Sequence, residues 1–225
     1  MTQIIDVIWG QLKRVVKMIV FPSLKGTYYY FSGRKIYIAP SMTQIALVRK
    51  YLKAKWSHKR FLIIEEALAV MNTEKAIILD IGANIGYVAT VYSHLMRKYE
   101  GRVISFEPVS VNCRAFLWNT KNLKNLQLLS FGLGATSESI SLGIPKYAKG
   151  LQKDTKNTGL LSASAEVDSE ASIFKSSSYP LDAISSGVIG EHESIVFIKI
   201  DVEGYELQAI TGARDIIRSH MPMME

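Results

Sequence analysis

The sequence predicts an α/β fold with a mostly parallel sheet that is covered by helices on both faces. From residue 76 onward, segments typical of strands and of helices alternate along the chain. The strand segments are apolar throughout, as in AIILDI (76–81) and IVFIKI (195–200), which indicates strands buried on both faces. A glycine-containing turn, DIGANIG (80–86), follows the first of these strands, as in many ligand-binding α/β proteins.

Length and composition are those of a globular protein. The chain has 225 residues, of which 48% are hydrophobic and 21% charged, so disordered, collagen-like and fibrous classes are excluded. Cys113 is the single cysteine and cannot form a disulfide within the chain. A reducing, cytoplasmic location is therefore the simpler expectation.

Residues 1–75 are predicted to form a basic N-terminal region that precedes the α/β domain, residues 76–225. The first region holds 13 Lys and Arg residues against 4 Asp and Glu, whereas the second holds 14 against 16. In the first region, TYYYF and IYIA flank a Ser-Gly turn and predict two short strands. Two helices follow, and each begins at a serine that can act as its cap, Ser41 and Ser57.

Residues 1–21 have an apolar stripe at helical spacing, but Lys13, Arg14 and Lys17 interrupt the stretch. Neither a membrane-spanning helix nor a secretory signal fits this pattern. Two interpretations remain: a helix packed against the body of the protein, or a basic amphipathic helix in peripheral contact with a membrane. Since no recognisable nucleic-acid-binding module accompanies the basic region, we expect no nucleic-acid partner.

The α/β domain is predicted to alternate between buried strands and helices. Residues 132–194 interrupt this alternation and are interpreted as an insertion, with a β-hairpin that includes 139–144 and a Ser-rich loop before Tyr179. Long insertions of this kind often form lids or substrate loops. The predicted strands are 76–81, 102–106, 126–130 and 195–200, and the predicted helices are 85–98, 109–119 and 204–218.

The glycine-containing turn and the end of the second strand together indicate a nucleoside-type ligand. Gly82 and Gly86 allow a tight turn and close approach of the backbone to a ligand. Glu107 follows the strand RVISF (102–106), where an acidic side chain can accept both hydroxyls of a ribose. Each signal is weak alone, but their spacing and their strand context together favour a binding site.

The charge at the predicted strand ends distinguishes between ligands. Asp80, Glu107, Asp201 and Glu203 all lie at the carboxyl ends of predicted strands. The turn also lacks the G-x-G-x-x-G pattern that is typical of pyrophosphate binding. Four carboxylates would repel a pyrophosphate and attract a cation. We therefore favour S-adenosylmethionine, which has a sulfonium and an ammonium group, over NAD.

Asp201 and Glu203 belong to the segment IKIDVEGYE (198–206), after a strand expected to neighbour the first one at the topological switch point. We expect both carboxylates to face the ligand or its reaction partner. The alternative is that they cap the following helix and complement its dipole. Lys199, inside an otherwise apolar strand, requires a carboxylate partner in either case.

Several segments in order resemble the FkbM family of S-adenosylmethionine-dependent methyltransferases: DIGANIGYVA, ISFEPVSVNCRAFLWN, the strand and Gly-Leu-Gly that follow, and FIKIDVEGYELQAITGA. The resemblance covers about residues 76–225. It implies a Rossmann-like class I methyltransferase fold and, usually, O-methylation of a hydroxyl on a sugar, glycan or small metabolite. In that family Asp80, Gly82, Asn84 and Gly86 would lie along the methionine part of the donor, Glu107 would hold the ribose, and Asp201 would face the transferred methyl group.

The sequence departs from this family at the C-terminus. A class I methyltransferase has a seven-stranded sheet, whereas this sequence supplies four strands and the beginning of a fifth near Met221. Either the sequence is truncated at the C-terminus, or the N-terminal hairpin and helices cover the exposed edge of the sheet. We expect truncation, because an uncovered parallel sheet would expose unpaired strand edges.

An acceptor hydroxyl needs a base in such a reaction, and the expected catalytic residues are Asp201 first and Glu203 second. The four histidines are scattered without metal-binding spacing, so we expect no metal. Two alternatives stay open: a non-catalytic S-adenosylmethionine-binding module and an NAD-type oxidoreductase.

Overall fold

The computed structural model describes residues 75–143 and 174–225, the helical residues Ile64, Glu65 and Leu68, and the backbone of two strands. These strands, β1 (Thr27–Phe31) and β2 (Arg34–Ile38), pair in antiparallel fashion, which confirms the predicted hairpin. The rest of the two predicted N-terminal helices, and the predicted amphipathic helix of residues 1–21, lie outside the described residues.

The central sheet has five parallel strands in the order β10-β9-β3-β4-β5, which confirms the predicted parallel architecture. Its edge strand β10 begins at Met223, close to the expected fifth strand. The bounds of the strands are Ala76–Ile81 (β3), Arg102–Phe106 (β4), Leu126–Leu129 (β5), Ser194–Ile200 (β9) and Met223–Met224 (β10).

Helices cover both faces of this sheet. Because side chains alternate along a strand, Ile78 packs with the helices on one face, and Ile77 and Leu79 pack with the helices on the other. This two-sided burial explains why β3 is apolar throughout except for Asp80. The helices are α1 (Tyr87–Met96, continued by a 3-10 turn at Arg97–Tyr99), α2 (Ser110–Thr120), α3 (Leu181–Val188), α4 (Glu206–Thr211) and α5 (Arg214–His220).

The predicted single helix over 204–218 is wrong, because the chain forms two helices that are separated at Gly212. A Cβ atom on Gly212 would lie 1.9 Å from the carbonyl oxygen of Gly134, so only glycine permits this approach. The Gly212 carbonyl accepts a hydrogen bond from the Asp182 N–H at 2.9 Å. The Asp182 carboxylate in turn accepts the Ile216 N–H at 3.0 Å, in the first turn of α5.

A second, three-stranded sheet stands beside the central one, in the order β6-β8-β7. Its strands are β6 (Gly132–Leu133), β7 (Glu138–Leu142) and β8 (Phe174–Tyr179). The antiparallel pair of β7 and β8 confirms a hairpin in the insertion, but the predicted Ser-rich loop before Tyr179 is wrong, since FKSSSY forms β8. Neighbouring strands on both sides supply the backbone hydrogen bonds of β8, whose residues lack the apolar alternation that would indicate a strand.

Candidate functional site

A cleft opens where the sheet reverses its strand order. From β3 the chain proceeds through β4 and β5 on one side, whereas β9 and β10 lie on the other side of β3. Ligands of open α/β sheets bind at such a switch point. About 640 Å³ of open space, part of it continuous with solvent, lies between the walls of this cleft. Its polar wall residues are Asn84, Glu107, Asn112, Asp201, Glu203 and Tyr205.

Gly82 allows the loops after β3 and β9 to touch at the floor of this cleft. Its φ angle is 79°, and a Cβ atom there would lie 2.1 Å from the carbonyl oxygen of Asp201. The N–H groups of Gly82 and Ala83 both donate to the carbonyl oxygen of Phe106 at 3.0 Å. Gly82 therefore ties together the ends of β3, β4 and β9.

Gly86 serves helix packing instead of lining the cleft. It has a φ of 81° and directly precedes α1. A Cβ atom on Gly86 would lie 2.8 Å from the Phe116 ring of α2, so glycine is what lets the two helices approach. The structure thus brings Gly82 and Asn84 to the cleft wall but not Gly86.

Asp80 is fully buried and is absent from the cleft wall. The Lys199 ammonium donates to Asp80 Oδ1 at 2.9 Å and to the Gly82 carbonyl oxygen at 3.2 Å. Asp80 is therefore the carboxylate partner that Lys199 was expected to require. Asp80 thus lies beneath the cleft wall, paired with Lys199, and its role towards a ligand stays a prediction.

Glu107 lines the cleft and is held from behind by three N–H donors. The Asn84 N–H donates to Oε2 at 2.7 Å, while Oε1 accepts the Val109 N–H at 2.9 Å and the Asn112 side-chain amide at 3.1 Å. Burial raises the pKa of Glu107, and these hydrogen bonds oppose the shift. Oε2 retains capacity for another donor, because each carboxylate oxygen has two acceptor sites.

Asp201 and Glu203 extend the acidic wall from the end of β9. The Asp201 N–H donates to the Ile81 carbonyl oxygen at 3.1 Å, and its side chain is 53% exposed with Oδ2 3.9 Å from the Lys199 ammonium. Burial raises the pKa of Glu203, and the negative charges of Asp201 and Glu206 raise it further. Glu203 has a φ of 48°, a left-handed conformation that non-glycine residues adopt rarely.

The helix-capping alternative for these two carboxylates finds no support. Helix α4 begins at Glu206, so Asp201 lies too far before it to occupy the cap position. The carboxylate of Glu206 itself accepts the Gly204 N–H at 3.1 Å.

Residues 80–225 match the family described as the Methyltransferase FkbM domain. The chain belongs to the FkbM methyltransferase family. No curated protein matches it. Among solved structures, it is similar to the methyltransferase FkbM from Methylobacillus flagellatus KT, with 21% sequence identity and a TM-score of 0.41. That alignment covers 68% of this chain and 32% of the other, so the chain spans about a third of the length of that relative.

The cleft of this FkbM family member contains a residue that the sequence did not single out. The Tyr205 hydroxyl donates to Glu138 Oε1 at 2.9 Å and so joins the loop after β9 to the second sheet. Burial raises the pKa of Tyr205, and the hydrogen bond to Glu138 adds to the shift. Its place next to the acidic segment 201–203 could have indicated Tyr205 from the sequence. Glu138 is 67 residues away, and nothing in the sequence connects it with this site.

Residues 75–143 and 174–225 contain neither a cluster of metal-ligating side chains nor a membrane-spanning helix. In this part of the chain no group of three or more His, Cys, Asp and Glu side chains is placed to hold a metal ion. No helix there is both long and apolar enough to cross a bilayer.

Proposed function

We propose that the chain is an S-adenosylmethionine-dependent methyltransferase domain that methylates a hydroxyl on a sugar, glycan or small metabolite. The observation that carries this proposal is an acidic cleft at the switch point of the central sheet, in a chain that belongs to the FkbM family. Glu107, Asp201 and Glu203 line it, and its described wall contains no Lys, Arg or His. Such a wall favours a sulfonium and opposes a pyrophosphate.

The cleft offers polar atoms that fit the donor. Asn84 Oδ1 is buried and has no hydrogen-bond partner among the described residues, so a bound ligand can satisfy it. Among the described residues, Glu107 Oε2 accepts the Asn84 N–H alone, and it can accept a ribose hydroxyl as well. We assign Asn84 and Gly82 to the methionine part of the donor and Glu107 to the ribose, whereas Asp80 and Gly86 would support these residues from behind.

Asp201 is the proposed base for the acceptor hydroxyl. When bound, S-adenosylmethionine supplies an electrophilic methyl group. Asp201 is half exposed on the cleft wall, so its carboxylate can reach a hydroxyl that approaches from solvent. Glu203 is the second candidate: its raised pKa makes it the stronger base when ionised but leaves less of it ionised.

Calorimetric titration with S-adenosylhomocysteine and with NAD, paired with a methyl-transfer assay, tests the proposal. We expect the first compound to bind, NAD not to bind, and methyl transfer to occur with a suitable hydroxyl acceptor. Binding of S-adenosylhomocysteine without transfer to any acceptor would indicate the non-catalytic binding module. Binding of NAD alone would refute the methyltransferase.

Asp201→Asn tests the base. We expect kcat to fall by about 10²- to 10⁴-fold, because general-base catalysis contributes this much, while the Kd for S-adenosylhomocysteine stays within about twofold. Asp215→Asn is the matched control, since Asp215 lies on α5 with its side chain 81% exposed. A variant with normal turnover and lost donor binding would show that Asp201 binds the donor instead.

The charge of the cleft predicts a pH effect on binding. Burial raises the pKa of Glu107 and of Glu203, so both carboxyl groups hold protons to higher pH than usual. A cationic ligand favours their ionised forms and must displace those protons at lower pH. We therefore expect the preference for S-adenosylmethionine over uncharged S-adenosylhomocysteine to decrease as pH falls from 8 towards 5. A preference that does not change with pH would contradict the electrostatic explanation.

A further inference from the structure

The outer face of α2 presents two large apolar side chains between two cations. Arg114, Leu117, Trp118 and Lys121 follow the spacing i, i+3, i+4 and i+7, which places them on one face of the helix. All four are exposed, Leu117 to 58% and Trp118 to 48%. We call these four residues the α2 surface.

This face lies in the most basic part of the α/β domain. No Asp or Glu occurs between residues 108 and 137, whereas Arg114, Lys121 and Lys124 fall within that stretch. The backbone of β2, which includes Arg34 and Lys35, runs beside α2. Residues 1–75, of which β2 is a part, hold 13 Lys and Arg against 4 Asp and Glu. Arg114, Lys121 and Lys124 therefore give this part of the α/β domain a positive charge that is complementary to an anionic partner.

Trp118 and Lys121 show which anionic partner fits best. The Lys121 ammonium lies 4.2 Å from the centroid of the Trp118 ring, at cation–π distance. This contact places a cation directly beside an exposed indole ring. An exposed Trp and Leu flanked by cations suit the interfacial zone of a bilayer, where the ring and the Leu side chain enter the headgroup layer and the cations meet phosphates.

We propose that the α2 surface docks this protein on an anionic lipid bilayer. Helix α2 begins three residues after Glu107 of the cleft wall, so docking holds the cleft within about one helix length, roughly 16 Å, of the lipid headgroups. The proposal does not depend on methyl transfer, because it concerns a surface outside the cleft.

Co-sedimentation of the full chain with lipid vesicles tests this proposal. The probe is a phosphatidylcholine vesicle with roughly one-third phosphatidylserine, at about 0.1 M salt, compared with pure phosphatidylcholine. We expect binding only to the first. Arg114→Gln with Lys121→Gln should lower the partition coefficient about 30-fold, because each cation near an anionic surface contributes about fivefold. Trp118→Ala should lower it about tenfold through the lost apolar contact.

The control is the double variant Arg214→Gln with Arg218→Gln. These two arginines are exposed on α5, so their substitutions remove the same charge as the α2 double variant but from another helix. Circular dichroism melting should match wild type for every variant, because all the altered side chains are exposed. Equal loss of binding in both double variants, or unchanged binding in the α2 variants, would overturn the proposal. So would binding to single-stranded RNA in fluorescence anisotropy with none to the vesicles.

Discussion

At the scale of single residues, the two glycines of the segment DIGANIG have different roles, one at the cleft and one in the interior. Gly82 makes room for Asp201 and lies on the cleft wall, whereas Gly86 makes room for Phe116 and does not. Both glycines were predictable as turn residues, because the segment joins a buried strand to a helix. Which neighbour each glycine accommodates was not predictable, since Asp201 and Phe116 come from distant parts of the chain.

Gly82→Ala should be strongly destabilising. The new methyl group would collide with the backbone oxygen of Asp201, which cannot rotate away, and the φ of 79° disfavours any side chain. We expect a loss of about 3 kcal/mol or more in the free energy of unfolding, measured by urea denaturation.

Gly187→Ala is the matched control for that change. Gly187 lies in α3, and no atom is within 4 Å of the place its Cβ would take. Here alanine should stabilise the protein by about 0.5–1 kcal/mol, because glycine costs that much inside a helix. Equal stability of the Gly82 variant and wild type would refute the close approach at the switch point.

Asp80 illustrates what the sequence could and could not show about the site. Its place at the end of the first buried strand correctly indicated the edge where the cleft lies. The Lys199 contact that compensates its charge crosses from β9 to β3, a pairing set by the strand order. Residues 80 and 199 are far apart in the sequence, so the sequence alone does not show that they form a buried ion pair.

At the scale of elements, an ion pair joins β4 to the start of β9 at the edge opposite the cleft. Arg102 donates from Nε to Glu193 Oε1 at 2.6 Å and from a terminal nitrogen to Oε2 at 2.7 Å, a two-point contact. The same guanidinium also donates to the Val188 carbonyl oxygen at 2.7 Å, at the end of α3. Three elements therefore meet at one side chain.

Glu193→Gln should destabilise the protein at neutral pH by about 1.5–3 kcal/mol, since a hydrogen bond to a charged group is lost. The Arg102 guanidinium lowers the pKa of Glu193, so its stabilisation is present above the ordinary value of 4.5. It disappears as pH falls through the lowered pKa of the folded state. Urea denaturation of both proteins should therefore show a difference at pH 7 that shrinks towards pH 3.

Arg218→Gln provides the comparison for that measurement. Arg218 and Asp215 are 4.0 Å apart, with side chains 73% and 81% exposed, so we expect almost no change in stability. A Glu193 variant that behaves like this control would show that the two-point contact contributes nothing.

The sequence predicts strands and helices correctly where apolar periodicity is strong. It fails where contacts with distant segments determine the conformation. The bounds of β3 and β4 match those expected, because each is a continuous apolar run. Strand β8 has three serines in a row and owes its conformation to the strands beside it. Helix α3 was not predicted, and the break at Gly212 depends on Gly134 from another segment.

At the scale of the whole molecule, Cys113 offers a probe of global opening because it is the single thiol. It is 7% exposed, and its thiol donates to the Glu107 carbonyl oxygen at 3.0 Å. Burial raises the pKa of Cys113 to about 11, with a further contribution from the charge of Glu107. At pH 8 we expect alkylation by iodoacetamide to be about 100-fold slower in the native protein than in denaturant, as followed by mass spectrometry. Similar rates in both states would show that α2 opens readily.

The ends of β7 and β8 lie side by side at the cleft. Leu142 and Phe174 face each other as a pair of β7 and β8, so residues 143–173 connect two neighbouring points. Ile140 and Leu142 of the same hairpin line the cleft. Because closing a longer loop costs little extra entropy, a change in the length of this connection should cost little stability. Homologues could therefore differ here in the acceptor that we propose, while the residues that we assign to the donor stay unchanged.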